Sequence, residues 1–284
     1  MDICPPNIYK QTFTTLTKMF KKYKIFHELK EINSLDISKQ NYNFADSKVI
    51  PYFNVSNVKG NNIELLRDFL LNFKNVYNWQ ELKLQKKKCI VEDIFFVNGV
   101  GIVITGTVIS GIISKGDKIM IGPLNGIFYE IQIKSVHDNF RNLVNNIDSG
   151  KSGCFNIKSI DKHFHLKRSV LKRGMILLDK THNNHTYKEF EAKIKILHHP
   201  TTINKKYEAT IHCGSVRQIA TLLEIKNKNN SIIEDESENC LRTGDTSIVR
   251  FKFKKKPEFI QENKQIIFRE GQTKGIGWIT KLIN

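Results

Sequence analysis

The chain has 284 residues, 40% of them hydrophobic, which is enough for two or three packed domains. Its 45 Lys+Arg against 28 Asp+Glu leave a net charge of +17, which favours polyanionic partners, nucleic acid above all. No run approaches the ~18 apolar residues of a membrane span, no apolar signal core precedes Lys21-Lys22, and the dispersed Cys4, Cys89, Cys154, Cys213 and Cys240 form no CxxC pair, so a reducing, cytoplasmic setting without disulfides or a membrane is expected.

The excess of Lys together with abundant Asn and Ile is also what AT-rich coding produces on a solvated surface. The basicity therefore has two candidate sources. Where it is functional it acts through phosphate attraction, which adds affinity without sequence choice.

Residues 1–76 read as α/β. Pro5-Pro6 stand at a helix start, followed by Ile8, Phe13, Leu16, Met19 and Phe20 near helical spacing. The stretch 30–48 is polar and gives no clear element. Val49 to Val55 is a short β-like run, and Asn61 or Asn62 then caps a helix with Ile63, Leu66, Phe69, Leu70 and Phe73 on one face. A lone βα unit cannot cover both faces of a sheet, so this region is expected to pack poorly or to depend on the domains C-terminal to it.

Residues 77–87 are polar and charged and read as a linker. From Lys88 the pattern changes to β-branched residues alternating with Gly turns, among them Ser114-Lys115-Gly116-Asp117, and it runs on through Tyr129–Ser135, Gly153–Ile157 and Met175–Leu178. Residues 88–181 are thus expected to form one all-β unit. A second, over 187–284, has strands expected at Glu189–Leu197, Tyr207–Cys213, Gln218–Ile225, Thr246–Phe253 and Gln265–Arg269, with Lys226–Cys240 a polar insertion. The fold class expected is mainly β: two consecutive antiparallel β-barrels after an N-terminal α/β remnant.

Two motifs invite chemistry and are set aside. His163-Phe164-His165 and His198-His199 lack a third ligand at metal spacing, so no metal site is expected. Gly150-Lys151-Ser152 ends like a phosphate loop, but Asn145 stands where the first glycine belongs and Gly153–Ile157 reads as a strand where a helix is required.

Other residues carry a resemblance. The stretch from Val91-Glu92-Asp93-Ile94-Phe95 through Gly106-Thr107-Val108 resembles the opening of domain 2 in elongation factor Tu and its relatives. Phe268-Arg269-Glu270-Gly271 through Gly277 is similar to the closing strand of domain 3. Leu197-His198-His199-Pro200, His212-Cys213-Gly214-Ser215-Val216-Arg217-Gln218 and Leu241-Arg242-Thr243-Gly244-Asp245 look like the GTP-binding protein 1 and 2 branch of the translational GTPases. Asp2 and Ser56-Asn57-Val58 resemble the last two guanine-recognition elements of a G domain, with Asp2 as the bidentate acceptor for the guanine edge and the serine loop facing its O6.

The resemblance implies a three-domain factor that binds GTP and magnesium and handles tRNA or the ribosome. It also implies that this chain is truncated at its N-terminus, lacks the P-loop and switch regions, and is inactive alone, with the missing G-domain segment as a partner upstream. No catalytic residue is assigned. The positions matching the tRNA acceptor-end pocket are Glu92, Asp93, Phe95, Thr105 and Arg141, unless Phe95 and Thr105 are core or strand edge. The match fails at Lys151-Ser152, where the elongation factor carries Asp-Asn. Further RNA contacts fall on Arg217, Arg269 and Lys274, unless Arg269 pairs internally with Glu270. The expected partner is RNA, with neither DNA nor a membrane. The alternative to an elongation-factor-like GTPase is a non-enzymatic RNA- or ribosome-binding module.

Overall fold

Along Gly101–Ser110 every second side chain is buried, which is the period of a strand with one face on a core. The same alternation recurs in the longer strands, among them Glu189–His198 and Thr246–Phe253. The computed structural model describes residues 4–22, 28–33, 49–72, 77–162, 164–226 and 240–283. It divides into two compact units, residues 1–78 and 79–284.

In the first unit, helix α1 (Pro6–Lys22) begins at the proline the sequence places there. Strands β1 (Glu28–Glu31) and β2 (Val49–Tyr52) pair in parallel, Glu28 opposite Val49 and Glu31 opposite Tyr52. β1 was not legible in the polar sequence around it. Helix α2 spans Ile63–Leu71. Phe13 packs on Tyr52 at 5.5 Å and Phe53 on Phe69 at 5.1 Å, joining each helix to the strand segment.

Two details of this unit differ from the sequence reading. Asn62 does occupy the N-cap, but in the left-handed region and without a side-chain cap; its amide donates to the Asn54 carbonyl at 2.8 Å instead. The covered face of α2 is also wider than read: Ile63, Leu66 and Phe69 are half-buried, but Leu65, one turn from Phe69, is its buried residue and Leu70 is exposed. Phe73 lies outside the described residues. Among those described here, the buried apolar side chains are Ile32 and Leu65.

The second unit opens with a short helix, α3 (Trp79–Lys83), in the stretch read as linker. It is docked rather than loose. The Leu82 carbonyl accepts from Gly111 N–H at 2.8 Å, the Trp79 carbonyl accepts from the Ser149 hydroxyl at 3.2 Å, and the Trp79 ring lies where a Cβ on Gly150 would come within 2.7 Å of it.

Two closed β rings come next. The first takes β3 (Lys88–Val97), β4 (Gly101–Ser110), β6 (Lys118–Leu124), β7 (Ile127–His137), β10 (Ser152–Ser159) and β11 (Ile176–Leu178) in the order β10-β4-β3-β11-β6-β7, closed by β10 on β7. β8 (Leu143–Val144) extends β7, while β5 (Ile112–Ser114) pairs with β9 (Asn146–Asp148). Ile104, Ile131, Val136 and Phe155 fill its interior.

The second ring takes β12 (Glu189–His198), β13 (Glu208–Cys213), β14 (Val216–Lys226), β15 (Thr246–Phe253), β16 (Gln265–Glu270) and β17 (Thr273–Ile283) in the order β12-β15-β14-β13-β16-β17. Phe190, Phe251, Phe253 and Phe268 form its centre. The five strands read from the sequence are there within two residues at each end; the insertion over 227–239 lies outside the described residues.

The barrels meet through Phe128 and Phe259, edge to face at 5.7 Å, with Met120, Ile176 and Leu178 around them. Thr186 Oγ1 donates to the Gly126 carbonyl at 2.8 Å and Lys88 Nζ to Gln261 Oε1 at 3.0 Å across the same contact. No helix among the described residues is long and apolar enough to cross a membrane.

Candidate nucleic-acid interface

The outer face of the first barrel is shaped by one irregularity. Val91 pairs with Gly106 and Asp93 with Thr105, so Glu92 is the extra residue of a β-bulge. Val91 and Ile94 point inward, and the bulge turns two consecutive carboxylates, Glu92 and Asp93, outward together.

Register then builds two rows across the strands. Asp93 lies opposite Thr105, Thr105 opposite Cys154, and Cys154 opposite His137. Beside this row Thr107 donates to Glu92 Oε1 at 2.5 Å and shares a 2.6 Å hydrogen bond with Ser152. Phe95 lies two residues beyond Asp93 on the same face and is 46% exposed. Thr105 is half-buried, and neither residue belongs to the core.

Arg173 reaches Asp93 from the turn before β11, Nε to Oδ1 at 3.2 Å and Nη2 to Oδ2 at 2.6 Å. The Ile94 backbone N–H, and after it Arg173, hold the Asp93 carboxyl below its ordinary range. Arg141 occupies the turn between β7 and β8 with φ +68°, in a loop braced by the Asp138 carboxylate, which accepts from Phe140 N–H and Asn142 N–H at 2.9 Å each. That turn follows directly on His137, the last residue of the row, which sets Arg141 at its edge. Glu92, Asp93, Phe95, Thr105 and Arg141 are therefore gathered on one side of one barrel.

On the second barrel, Arg217 stands opposite His212, Arg269 opposite both Thr210 and Lys274. Arg217, Arg269 and Lys274 alternate with buried neighbours and all face solvent. Glu270 takes the Tyr207 hydroxyl at 3.0 Å, and among the described residues Arg269 forms no ion pair.

The guanine-side residues are placed less completely. Asp2 lies outside the described residues. Ser56 is buried and its hydroxyl accepts from Lys59 N–H at 2.9 Å, closing a turn that leaves Asn57 exposed and Val58 72% exposed. Gly150-Lys151-Ser152 leads into β10; Gly150 N–H already donates to the Val108 carbonyl at 2.8 Å and Lys151 N–H to the Asp148 carbonyl at 3.2 Å. Those donors are spent, so the triplet does not fit a nucleotide phosphate, and no step through GTP or magnesium is assigned to it. Of the paired histidines, His199 is held by Thr273 Oγ1 at 2.6 Å and the Thr202 carbonyl at 3.1 Å, a loop brace; His163 lies outside the described residues.

Residues 189–280, the second barrel, match the family model described as GTP-eEF1A C-terminal domain-like. GTP-binding protein 1 of Xenopus laevis is 36% identical over 291 residues, covering 100% of this chain and 40% of that protein. GTP-binding protein 2 of Mus musculus is 32% identical over 289 residues, covering 99% and 45%. Elongation factor 1-alpha of Cenarchaeum symbiosum is 26% identical over 215 residues, covering 72% and 47%.

The chain belongs to the translational GTPase superfamily, in its GTP-binding protein 1 and 2 branch. It spans less than half the length of those two relatives. Within the superfamily the two rings correspond to domains 2 and 3 of elongation factor Tu. The departure from that factor at Lys151-Ser152 falls within the first barrel's acidic row, where Ser152 meets Thr107 and through it Glu92.

Sequence reasoning missed three members of this candidate surface. Thr107 was accessible to it, being two residues along β4 from Thr105. Cys154 needed the β10 register. Arg173 is 80 residues from Asp93 and nothing local marks the pair.

Proposed function

We propose that this chain supplies the RNA-handling body of a GTP-binding, elongation-factor-like protein that acts on tRNA or the ribosome. The observation that carries the reading is that Arg217 on β14 and Arg269 on β16 flank the same strand, β13, opposite His212 and Thr210, with Lys274 on β17 opposite Arg269, all three exposed. Cations spaced along a flat β surface suit phosphates spaced along a helix of RNA, and they position it without reading bases. The acidic row at Glu92 and Asp93, with Phe95 beside it and Arg141 at its edge, suits the end of a tRNA acceptor stem: a ring on the aromatic, an amino group toward a carboxylate, a phosphate on the arginine. The Ser152 departure leaves amino-acid recognition outside the proposal. GTP binding and hydrolysis, on this reading, belong to the whole protein, with Asp2, Ser56, Asn57 and Val58 on the guanine side.

The test is binding of deacylated tRNA and of ribosomes as a function of salt, for the chain and for its Arg217→Ala/Arg269→Ala/Lys274→Ala variant. Loss of three phosphate contacts lowers the salt slope by about 2.7 on duplex-like RNA. An unchanged slope sinks the reading. A second reading, a non-enzymatic RNA- or ribosome-binding module, is favoured by the spent N–H donors of Gly150 and Lys151. It predicts the same RNA affinity with and without guanine nucleotide.

A further inference from the structure

The first barrel is left open at one end. Phe96 lies opposite Ile102, Ile102 opposite Ile157, and Ile157 opposite Ile133, so the four stand in one row across β3, β4, β10 and β7. Ile102, Ile157 and Ile133 are buried in the barrel core, but Phe96 at the end of the row is 63% exposed. The β3–β4 turn next to it exposes Val97 and Val100 as well. Apolar side chains thus continue past the point where the fold covers them.

They line a groove of about 430 Å³. Its floor is Phe96, Val100, Ile102, Ile157 and Leu166. Its rim is Lys134, Lys158, Lys167 and Arg168, all exposed, and no carboxylate lines it. Those four cations form no ion pair among the described residues.

Both walls are anchored. On one side Phe164 is buried and stacked on Tyr129 at 4.2 Å, the Ser159 hydroxyl donates to the Asp161 carbonyl at 3.0 Å, and Val170 N–H donates to the Lys167 carbonyl at 3.1 Å, which holds the segment bearing Leu166, Lys167 and Arg168. On the other, Val100 N–H closes the hairpin on the Val97 carbonyl at 3.1 Å, and the Asn156 amide donates to the Val100 carbonyl at 3.4 Å. A groove already formed costs little to order when it is filled.

The chemistry of the lining selects the occupant. An unpaired nucleotide gains affinity by stacking on aromatic faces, and Phe96 is the one ring here; the rest of the floor is aliphatic. A concave aliphatic floor suits an inserted apolar side chain, and a rim of unpaired cations complements carboxylates on either side of it. We propose that the open end of the first barrel docks an acidic segment of a partner protein, with an apolar side chain on the floor and its carboxylates on Lys134, Lys158, Lys167 and Arg168. This does not rest on the RNA reading, whose cations Arg217, Arg269 and Lys274 belong to the other barrel.

The experiment selects a phage-displayed random peptide library on the full chain and measures the best synthetic peptide by anisotropy. Val100→Asp places a charge on the floor at an exposed turn. Lys158→Glu/Lys167→Glu reverses the rim, and Lys193→Glu/Lys195→Glu, on the exposed side of β12, makes the same charge change elsewhere. Selected peptides are expected to carry Asp and Glu around Leu, Ile or Phe. Their binding should weaken by about tenfold or more in each groove variant and by less than about twofold in the control. Peptides without acidic residues, equal losses in groove and control variants, or no peptide that distinguishes the groove variants from the unmodified chain overturn the proposal. Loss of a single-stranded oligoribonucleotide in the groove variants, with no groove-dependent peptide recovered, makes RNA the occupant and overturns it too.

Discussion

Arg173 holds Asp93 by two parallel hydrogen bonds, and the two residues come from opposite ends of the first barrel's sequence. The pair ties the bulged start of β3 to the turn that enters β11. A guanidinium is required for that fork; an ammonium offers a point charge. In Arg173→Lys or Arg173→Ala the Asp93 carboxyl is expected to titrate at higher pH than in the unmodified chain. It should nonetheless stay below an ordinary aspartate, because the Ile94 N–H, the larger influence, remains. Side-chain carboxyl NMR across an acid titration reads both parts. The melting temperature should barely move, since the pair is at the surface. A large drop would mean that Arg173 holds the barrel together rather than the site.

The second barrel offers a sharper stability test. Gly275 on β17 pairs with Phe268 on β16, and the Phe268 ring lies over the glycine where a Cβ would stand. Phe268 is 2% exposed and in contact with Phe251 at 6.2 Å. Gly275→Ala should cost about 1–3 kcal/mol by overpacking. Phe268→Leu should cost a similar amount by leaving a void. Together they should cost clearly less than their sum, because the smaller side chain vacates the space the new methyl needs. Urea unfolding of the four proteins completes the cycle, and strict additivity would show that the ring has room to move.

How much was legible depends on which forces are local. Strand period is local, so the two all-β blocks, and strands such as Thr246–Phe253, could be read from alternation alone. Turn chemistry is local too, as at Lys115-Gly116-Asp117, where Gly116 takes φ +90°. The site was legible only through family likeness. Glu92 and Asp93 are adjacent in sequence, and simple alternation would send them to opposite faces; the bulge that brings them together depends on how β4 pairs. The groove was not legible at all. Phe96, Lys134 and Leu166 lie on three separate segments, and only the closing of the ring by β10 on β7 makes them neighbours. In α2 Ile63, Leu66 and Phe69 are half-buried as read, but Leu65 is the most buried residue and Leu70 is exposed, because Leu65, Leu66, Leu70 and Leu71 allow more than one apolar face.

Glu258 and the acidic residues around the barrels should act in opposite senses as pH changes. Burial, the largest influence, raises the Glu258 carboxyl above the ordinary range despite Lys256 and Gln218. A carboxyl raised in the folded chain favours folding when both states are protonated, and that advantage is lost as pH rises through its folded pKa. Asp148, lowered chiefly by Lys83 and then by Lys151, and Glu189, lowered by Lys252 and Arg250, behave conversely: their contribution is present above the unfolded carboxyl pKa and is lost as pH falls through the folded value. Glu258→Gln should therefore raise the melting temperature at pH 7 and leave it unchanged near pH 3. Lys83→Ala should lower it at pH 7, by about 0.5 kcal/mol in stability, and have no effect near pH 2. Thermal unfolding from pH 2 to pH 8 measures both. A destabilised Glu258→Gln at neutral pH would show that its charge is needed by Lys256 and Lys172 more than its burial costs.

Phosphate binding by a loop depends on consecutive backbone N–H groups that have no other acceptor. In the one Gly-Lys-Ser triplet of this chain the Gly150 and Lys151 N–H groups are committed to Val108 and Asp148, and Ser152 is already paired in β10 with Thr107. In the loop proposed for the guanine base, the Ser56 hydroxyl accepts from Lys59 N–H. A base edge alone, without phosphates, carries little affinity. Residues 1–284 by themselves are therefore expected to bind a fluorescent GTP analogue weaker than micromolar, and Gly150→Ala, which would strike the Trp79 ring, should change folding stability without changing that affinity. Micromolar binding that Lys151→Ala abolishes would refute this and would place a phosphate where the hydrogen bonds say none can enter.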